Sequence, residues 1–247
     1  MLTIGVDLAA EPARTALAAL EWRSGRARVV SLSLDAGDDE IVARSREATT
    51  IGVDCAFGWP LEFAAFVSAH TRREVAPRAL AGREWRRRLA YRETDRVARE
   101  VTGRWPLSVS TDRLGMTAMR CAELLDAFAA AGEEVDRSGG GRLVEVYPAA
   151  ALRHWRIDTT GYKTRPEAVA LAVEALRRAA PWLDASEETV SLMARSNDAF
   201  DAVIAAFNAR AHALGETLPV PDPLREAAEA EGWIALPTGP LDGLVRS

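Results

Sequence analysis

The chain opens on a short apolar run, Leu2-Thr3-Ile4-Gly5-Val6-Asp7-Leu8, that ends at an acidic residue followed by small ones. Runs of the same β character follow at Thr15 to Trp22 and at Arg26 to Leu34. The glycine-containing link Arg23-Ser24-Gly25-Arg26 between them has the length of a hairpin loop. Together these runs predict a three-stranded antiparallel meander. Residues 38–47, with Asp38, Asp39 and Glu40 in the first turn, predict a short helix, and Thr50 to Asp54 predicts another strand. That strand repeats the first, because Ile-Gly-Val-Asp occurs at residues 4–7 and again at 51–54.

From Cys55 to Arg142 the strand signal disappears, and an Arg-, Trp- and Ala-rich helical pattern replaces it, including Thr117 to Ala131 closed by Gly132. Residues at about 56–142 therefore predict a large helical insertion. After the Ser138-Gly139-Gly140-Gly141 loop, Leu143 to Tyr147 predicts a strand stopped by Pro148. Helices are predicted at Pro166 to Ala180 and at Asp198 to Leu214, the second ending at Gly215, and Gly232 to Pro237 offers a last short edge strand. No repeat, low-complexity tract or long linker divides the chain. The expectation is one α/β domain over residues 1–247, its mixed sheet combining the antiparallel meander with parallel strands.

Composition narrows the class. With 48% hydrophobic residues in 247, the chain is too apolar for a disordered protein. Two cysteines, Cys55 and Cys121, exclude a disulfide scaffold and a four-cysteine zinc site, and suggest a reducing cytoplasm. No apolar run approaches the roughly 18 residues of a membrane span, and Asp7 arrives before a signal-peptide core could form. A cytoplasmic protein without a membrane partner is expected. The net charge is −5, and of the 31 basic residues 30 are arginine and one is Lys163. So strong an arginine bias discounts arginine number as a signal. Even so, residues 72–104 hold eleven arginines against five acids, with Trp85, Tyr91 and Trp105 interleaved. Such a segment could track a phosphate backbone and stack bases, which makes nucleic acid a candidate partner; a solvated helical face is the alternative.

The chemistry lies in the aspartates. Asp7 and Asp54 end strands, where open α/β sheets present ligand sites. Asp198 and Asp201, three apart, fall on one face of a helix whose Ala202, Ala205 and Ala206 permit close packing on a sheet. An acid pair on a packing face needs compensation, and Mg²⁺ or Mn²⁺ is an economical answer. Taken singly, each strand-end aspartate could be a turn former, and Asp198 a helix-dipole residue. Taken together, they match the arrangement of the ribonuclease-H-like superfamily, in which carboxylates of the first strand, the fourth strand and the last core helix meet around metal.

The sequence more specifically resembles the bacterial family called domain of unknown function 429, described as predicted nucleases of the ribonuclease-H-like fold. The resemblance is carried by Gly5-Val6-Asp7-Leu8-Ala9, Gly52-Val53-Asp54-Cys55-Ala56-Phe57-Gly58-Trp59-Pro60, Arg92-Glu93-Thr94-Asp95-Arg96, Val144-Glu145-Val146-Tyr147-Pro148, Tyr162-Lys163 and Asp198-Ala199-Phe200-Asp201-Ala202. The last motif also resembles that of Holliday-junction resolvases, where both acids act. The resemblance implies that Asp7, Asp54, Asp198 and Asp201 are catalytic metal ligands.

Four more residues are candidates for support or substrate binding. Glu145 could join the acidic cluster or hold an arginine of the insertion; Arg92 could meet phosphate with Asp95 orienting it, unless Thr94-Asp95 is a local cap; Lys163 could touch phosphate or steady a water. His70, His154 and His212 share no metal-ligand spacing. The leading expectation is a nuclease hydrolysing phosphodiesters with two ions about 3.5–4 Å apart. A non-catalytic nucleic-acid-binding or scaffold protein of the same fold is the alternative. An actin-like phosphotransferase is weaker, because no glycine-rich phosphate loop follows Asp7.

Overall fold

Alternation along the first strand decides how the layers stack. In β1 (Leu2–Asp7) successive side chains point to opposite faces, so Ile4 and Val6 share one face while Thr3, Gly5 and Asp7 share the other. β1 pairs antiparallel with β2 (Ala16–Arg23), which pairs antiparallel with β3 (Arg26–Ser33) across a turn where Gly25 takes φ +72°. After α1 (Asp38–Ser45) the chain returns as β4 (Thr50–Asp54), parallel to β1. The repeated tetrapeptide lies in register: Ile4 is opposite Ile51, Gly5 opposite Gly52, Val6 opposite Val53 and Asp7 opposite Asp54.

Four helices, α2 (Leu61–Thr71), α3 (Gly82–Ala90), α4 (Glu93–Thr102) and α5 (Gly115–Ala130), separate β4 from β5 (Leu143–Glu145), which adds parallel to β4. Then come α6 (Pro148–His154), α7 (Pro166–Ala179), the two-residue β6 (Leu183–Asp184), α8 (Glu187–Arg195), α9 (Asn197–Ala213) and α10 (Arg225–Glu231). The sheet order is β5-β4-β1-β2-β3-β6, with β6 parallel to β3. These elements belong to a computed structural model that describes residues 1–74 and 81–246. Among the described residues, no helix is long and apolar enough to cross a membrane.

Both sheet faces are covered. Ile4, Val6, Ile51 and Val53 pack against Ile41 of α1 and against Leu124 and Phe128 of α5. On the other face Leu20 and Trp22 meet Leu176 of α7, Met193 of α8, and Val203 and Phe207 of α9. α9 is the central helix of that layer, and every residue from Ala199 to Ala211 is buried. Its buried residues are apolar except for Asp201, Asn208 and Arg210.

The approach of α9 to the sheet is unusually close, and two glycines permit it. A Cβ on Gly5 would overlap the Ala202 carbonyl oxygen and the Ala206 nitrogen, and one on Gly52 would stand 2.6 Å from the Ala205 carbonyl oxygen. Thr3 adds a polar tie: its hydroxyl donates to the Ala206 carbonyl at 3.1 Å and accepts from Trp22 Nε1 at 2.8 Å.

The α/β fold with mixed sheet and helical insertion is as expected, with local differences. β5 ends at Glu145 rather than Tyr147, because Pro148 occupies the first turn of α6. The tail forms no strand; Ile234 makes one parallel bridge to Glu145, and Pro237 turns to bridge Thr217. Within residues 56–142, α5 covers the sheet, so the outgrowth proper is α2 to α4. Two-residue β6 has no periodicity by which a sequence could betray it.

Gly5→Ala or Gly52→Ala should therefore destabilise the protein by about 3 kcal/mol, as overpacking against rigid backbone does. Urea unfolding would measure this; a loss of under about 0.5 kcal/mol at both sites would contradict the close approach.

Candidate metal centre

Each carboxylate of the centre is placed by a different backbone constraint. Asp7 and Asp54 are register partners at the C-terminal ends of β1 and β4, on the face shared by Gly5 and Gly52. Asp201 lies one turn into α9, whose start is capped by Ser196 accepting from the Ala199 N–H at 3.2 Å. The glycine-permitted contact presses that turn onto the strand ends. One carboxylate oxygen from each of Asp7, Asp54 and Asp201 then lies within 4.8 Å of the other two.

Asp198 stands outside this trio. Its carboxylate meets Arg14 at 3.5 Å and accepts from Asn197 at 2.8 Å, although its charge still raises the pKa of Asp7 and Asp201. Three of the four expected ligands thus converge, and between Asp198 and Asp201 it is Asp201 that faces Asp7 and Asp54.

Asp201 is fully buried and held at both oxygens. Tyr162 donates its hydroxyl to Oδ1 at 3.0 Å, and the Lys163 ammonium bonds Oδ2. Lys163 remains 44% exposed at its side chain, so it is both partner to Asp201 and part of the cleft wall. Burial alone would lower its pKa; Asp201 and then Asp7 outweigh that and keep it charged. Tyr162 carries no role predictable from spacing or composition; its place beside Lys163 in the Tyr162-Lys163 motif is the one signal for it.

The trio is short of positive charge. Burial first, then Asp201, pushes Asp7 well above the usual carboxylate range, with Lys163 only partly opposing. Burial raises Asp54 to about 7, offset by Lys163 and reinforced by Asp201 and Glu145. Burial likewise raises Asp201 despite its bonds to Lys163 and Tyr162. Three carboxylates facing one ammonium fit a divalent cation with oxygen ligands, and Asp7, Asp54 and Asp201 are the residues that would hold it. The same centre opens into a cleft of about 440 Å³ whose walls include Arg113, Thr117, Tyr147 and Lys163.

Glu145, Arg92 and Asp95 form a different kind of group. Arg92 is buried, and all five of its N–H donors are used: Nε and Nη2 on Asp95, Nη1 and Nη2 on Glu145, and Nη1 again on the Glu231 carbonyl. Arg92 lines the cleft, but no donor of its guanidinium is left over for a phosphate in this arrangement. Glu145 holds an arginine of the insertion and accepts from the Phe57 N–H at 2.9 Å, on the segment just after Asp54. Asp95 both orients Arg92 and accepts its backbone N–H at 2.9 Å, as a cap of α4. Glu231, absent from the sequence-derived candidates, accepts from the Leu61 and Glu93 N–H groups at 2.8 and 2.9 Å, capping α2 and α4 together. Its position far along the chain from both helices left no local signal.

Five of the ten described arginines in residues 72–104 are paired. Arg72, Arg87, Arg88 and Arg96 pair with Glu74, Glu84, Glu62 and Glu93, and Arg92 is consumed as described. Residues 75–80, with Arg78, lie outside the described residues. Trp85 packs edge-on against Phe66, and Tyr91 stacks on Trp105 at 4.1 Å.

Two outcomes follow. Glu145→Gln should destabilise the fold by roughly 3–5 kcal/mol in urea unfolding, since it strands a buried guanidinium; an effect below 1 kcal/mol would contradict the network. For Asp54, a folded pKa near 7 against an ordinary 3.8 means that its stability contribution is present below pH 4 and lost as pH rises through 7. Relief by a cation should grow over the same window, so Mn²⁺ should raise the melting temperature more at pH 8 than at pH 5.5, and Asp54→Asn should abolish that difference. Equal shifts at both pH values would contradict it.

No curated protein and no solved structure matches the chain. Residues 5–226 match the family described as "Protein of unknown function (DUF429)", and the chain belongs to that family.

Proposed function

We propose that this protein is a metal-dependent nuclease of ribonuclease-H-like fold, hydrolysing phosphodiester bonds in the cleft at the ends of β1 and β4. The observation that carries the reading is the convergence of Asp7, Asp54 and Asp201 within 4.8 Å, at the strand ends where such sheets place ligands. The sheet order, with an antiparallel meander flanked by parallel strands and α9 across its middle, supports the same reading. When bound, Mg²⁺ or Mn²⁺ would supply charge neutralisation at the phosphate and acidify an attacking water.

The chain's own residues have separable tasks. Asp7 and Asp54 are fixed by strand register, and Asp201 is fixed by Tyr162 and Lys163, so all three are oriented before a ligand arrives. Lys163 also offers its exposed ammonium to a non-bridging phosphate oxygen. Arg113 lines the cleft with no hydrogen bond or ion pair to any described residue, which leaves its fork for a phosphate in the place first assigned to Arg92. Asp198, held by an exposed arginine at 3.5 Å, is the carboxylate to which a second ion would turn. A cytoplasmic setting suits the thiols Cys55 and Cys121.

Purified protein with Mn²⁺ should cleave labelled nucleic acid from a panel of single-stranded, duplex, hybrid and junction substrates. Asp7→Asn and Asp201→Asn should each reduce the rate at least ~10²-fold, as loss of transition-state charge stabilisation does. Arg113→Gln should slow cleavage more than Arg92→Lys at matched folded fraction. Full-rate cleavage in both aspartate variants would overturn the site. Binding without cleavage by the wild type would favour the non-catalytic reading, and ATP turnover without cleavage the phosphotransferase.

A further inference from the structure

Beside the acidic cleft lies a second pocket of about 560 Å³, and the two share Lys163 and Ala149 as a common wall. Arg104, from the segment after α4, and Arg153 and Arg156, from the end of α6 and the loop beyond, line it. None of these guanidinium groups makes a hydrogen bond or ion pair with any described residue. The carboxylate on the wall, Asp158, is turned onto the N–H and hydroxyl of Thr160 at 3.1 and 2.8 Å. Three guanidinium groups against that one carboxylate make a net cationic pocket that opens from an acidic one.

Backbone conformation gives a second, independent sign. Arg156 takes φ +56° at the end of α6, where its N–H bonds the Arg153 carbonyl and the Ile157 N–H bonds the Leu152 carbonyl. That left-handed position after a helix is the one glycine occupies without strain. An arginine there holds a strained backbone while its side chain lines the pocket, and such strain is drawn to functional positions.

We propose that the Arg104, Arg153 and Arg156 pocket is a phosphate subsite for the nucleic-acid strand, binding a backbone phosphate that flanks the one at Asp7, Asp54 and Asp201. The assignment rests on the nuclease reading for its scissile phosphate, but the subsite itself needs only a polyanion. It selects a polynucleotide over a mononucleotide, because one phosphoryl group cannot occupy both pockets. It also moves the nucleic-acid contact from α3 to the edge formed by α6 and the loop before α7. Lys163, on the shared wall and bonded to Asp201, joins the two pockets.

The test measures binding of a fluorescein-labelled single-stranded 12-mer to the full chain by anisotropy, across a salt series and without divalent metal. Arg153→Gln/Arg156→Gln should weaken binding on the order of tenfold. It should also flatten the slope of log K against log salt by about 0.7, the value for one phosphate contact on a single strand. Arg156→Gly should weaken binding while holding or raising the melting temperature, which a merely structural arginine would not do. Hydrolysis of bis(p-nitrophenyl) phosphate with Mn²⁺, a substrate too small to reach the subsite, separates the two readings. Wild-type hydrolysis of that ester, with 12-mer affinity and salt slope unchanged in the arginine variants, would overturn the subsite and leave the nuclease reading standing. Weakened binding in the variants with no hydrolysis by the wild type would support the subsite and overturn the nuclease.

Discussion

The contact between α9 and the strands β1 and β4 is the constraint on which the rest depends. Helix and sheet ordinarily keep apart by the thickness of their side chains. Here Gly5 and Gly52 remove that thickness from the sheet, and Ala202, Ala205 and Ala206 reduce it on the helix. Two consequences follow from one geometry. The three carboxylates at the end of the contact reach one another, and the burial that brings them together raises their pKa values. Packing thus creates an electrostatic deficit that a cation would relieve.

The protein contains two buried charge groups of opposite design. Around Arg92 every donor has an acceptor, and Glu145, Asp95 and Glu231 lock α2 and α4 against β5 and the tail. A network satisfied in this way organises the outgrowth and has nothing left to offer a ligand. Around Asp7, Asp54 and Asp201 one lysine and one tyrosine serve three carboxylates, and the remainder faces a cleft. Unmet electrostatic demand, rather than acidic character as such, separates the candidate site from the scaffold. Glu145 touches both groups: it anchors Arg92 while its charge raises Asp54.

Much of this arrangement was legible in the sequence where local pattern and long-range partner coincide. The repeated Ile-Gly-Val-Asp foretold two equivalent strand ends, and the structure pairs them residue by residue. The Asp-x-x-Asp-Ala helix was placed correctly, with its alanines facing the sheet. What local pattern could not carry was the partner of each polar group. Arg92 and Lys163 looked alike as cations near the site, yet one is sealed by five acceptors and the other stays open to the cleft. Asp198 and Asp201, one turn apart, look alike in sequence, yet Asp201 is buried against Tyr162 and Lys163 while Asp198 turns to Asn197 and Arg14. Glu231 and Arg156 draw their roles from elements distant in sequence or from a backbone angle, and neither leaves a trace in spacing.

On the proposed reading, Asp7, Asp54 and Asp201 act as one cation-binding unit. Mn²⁺ binding to the whole chain, followed at pH 8 by the electron paramagnetic resonance of free ion, tests it most directly. Saturable binding in the wild type, lost on each of Asp7→Asn, Asp54→Asn and Asp201→Asn while the variants remain folded, is the predicted result. Equal Mn²⁺ affinity in the wild type and all three folded variants would contradict it.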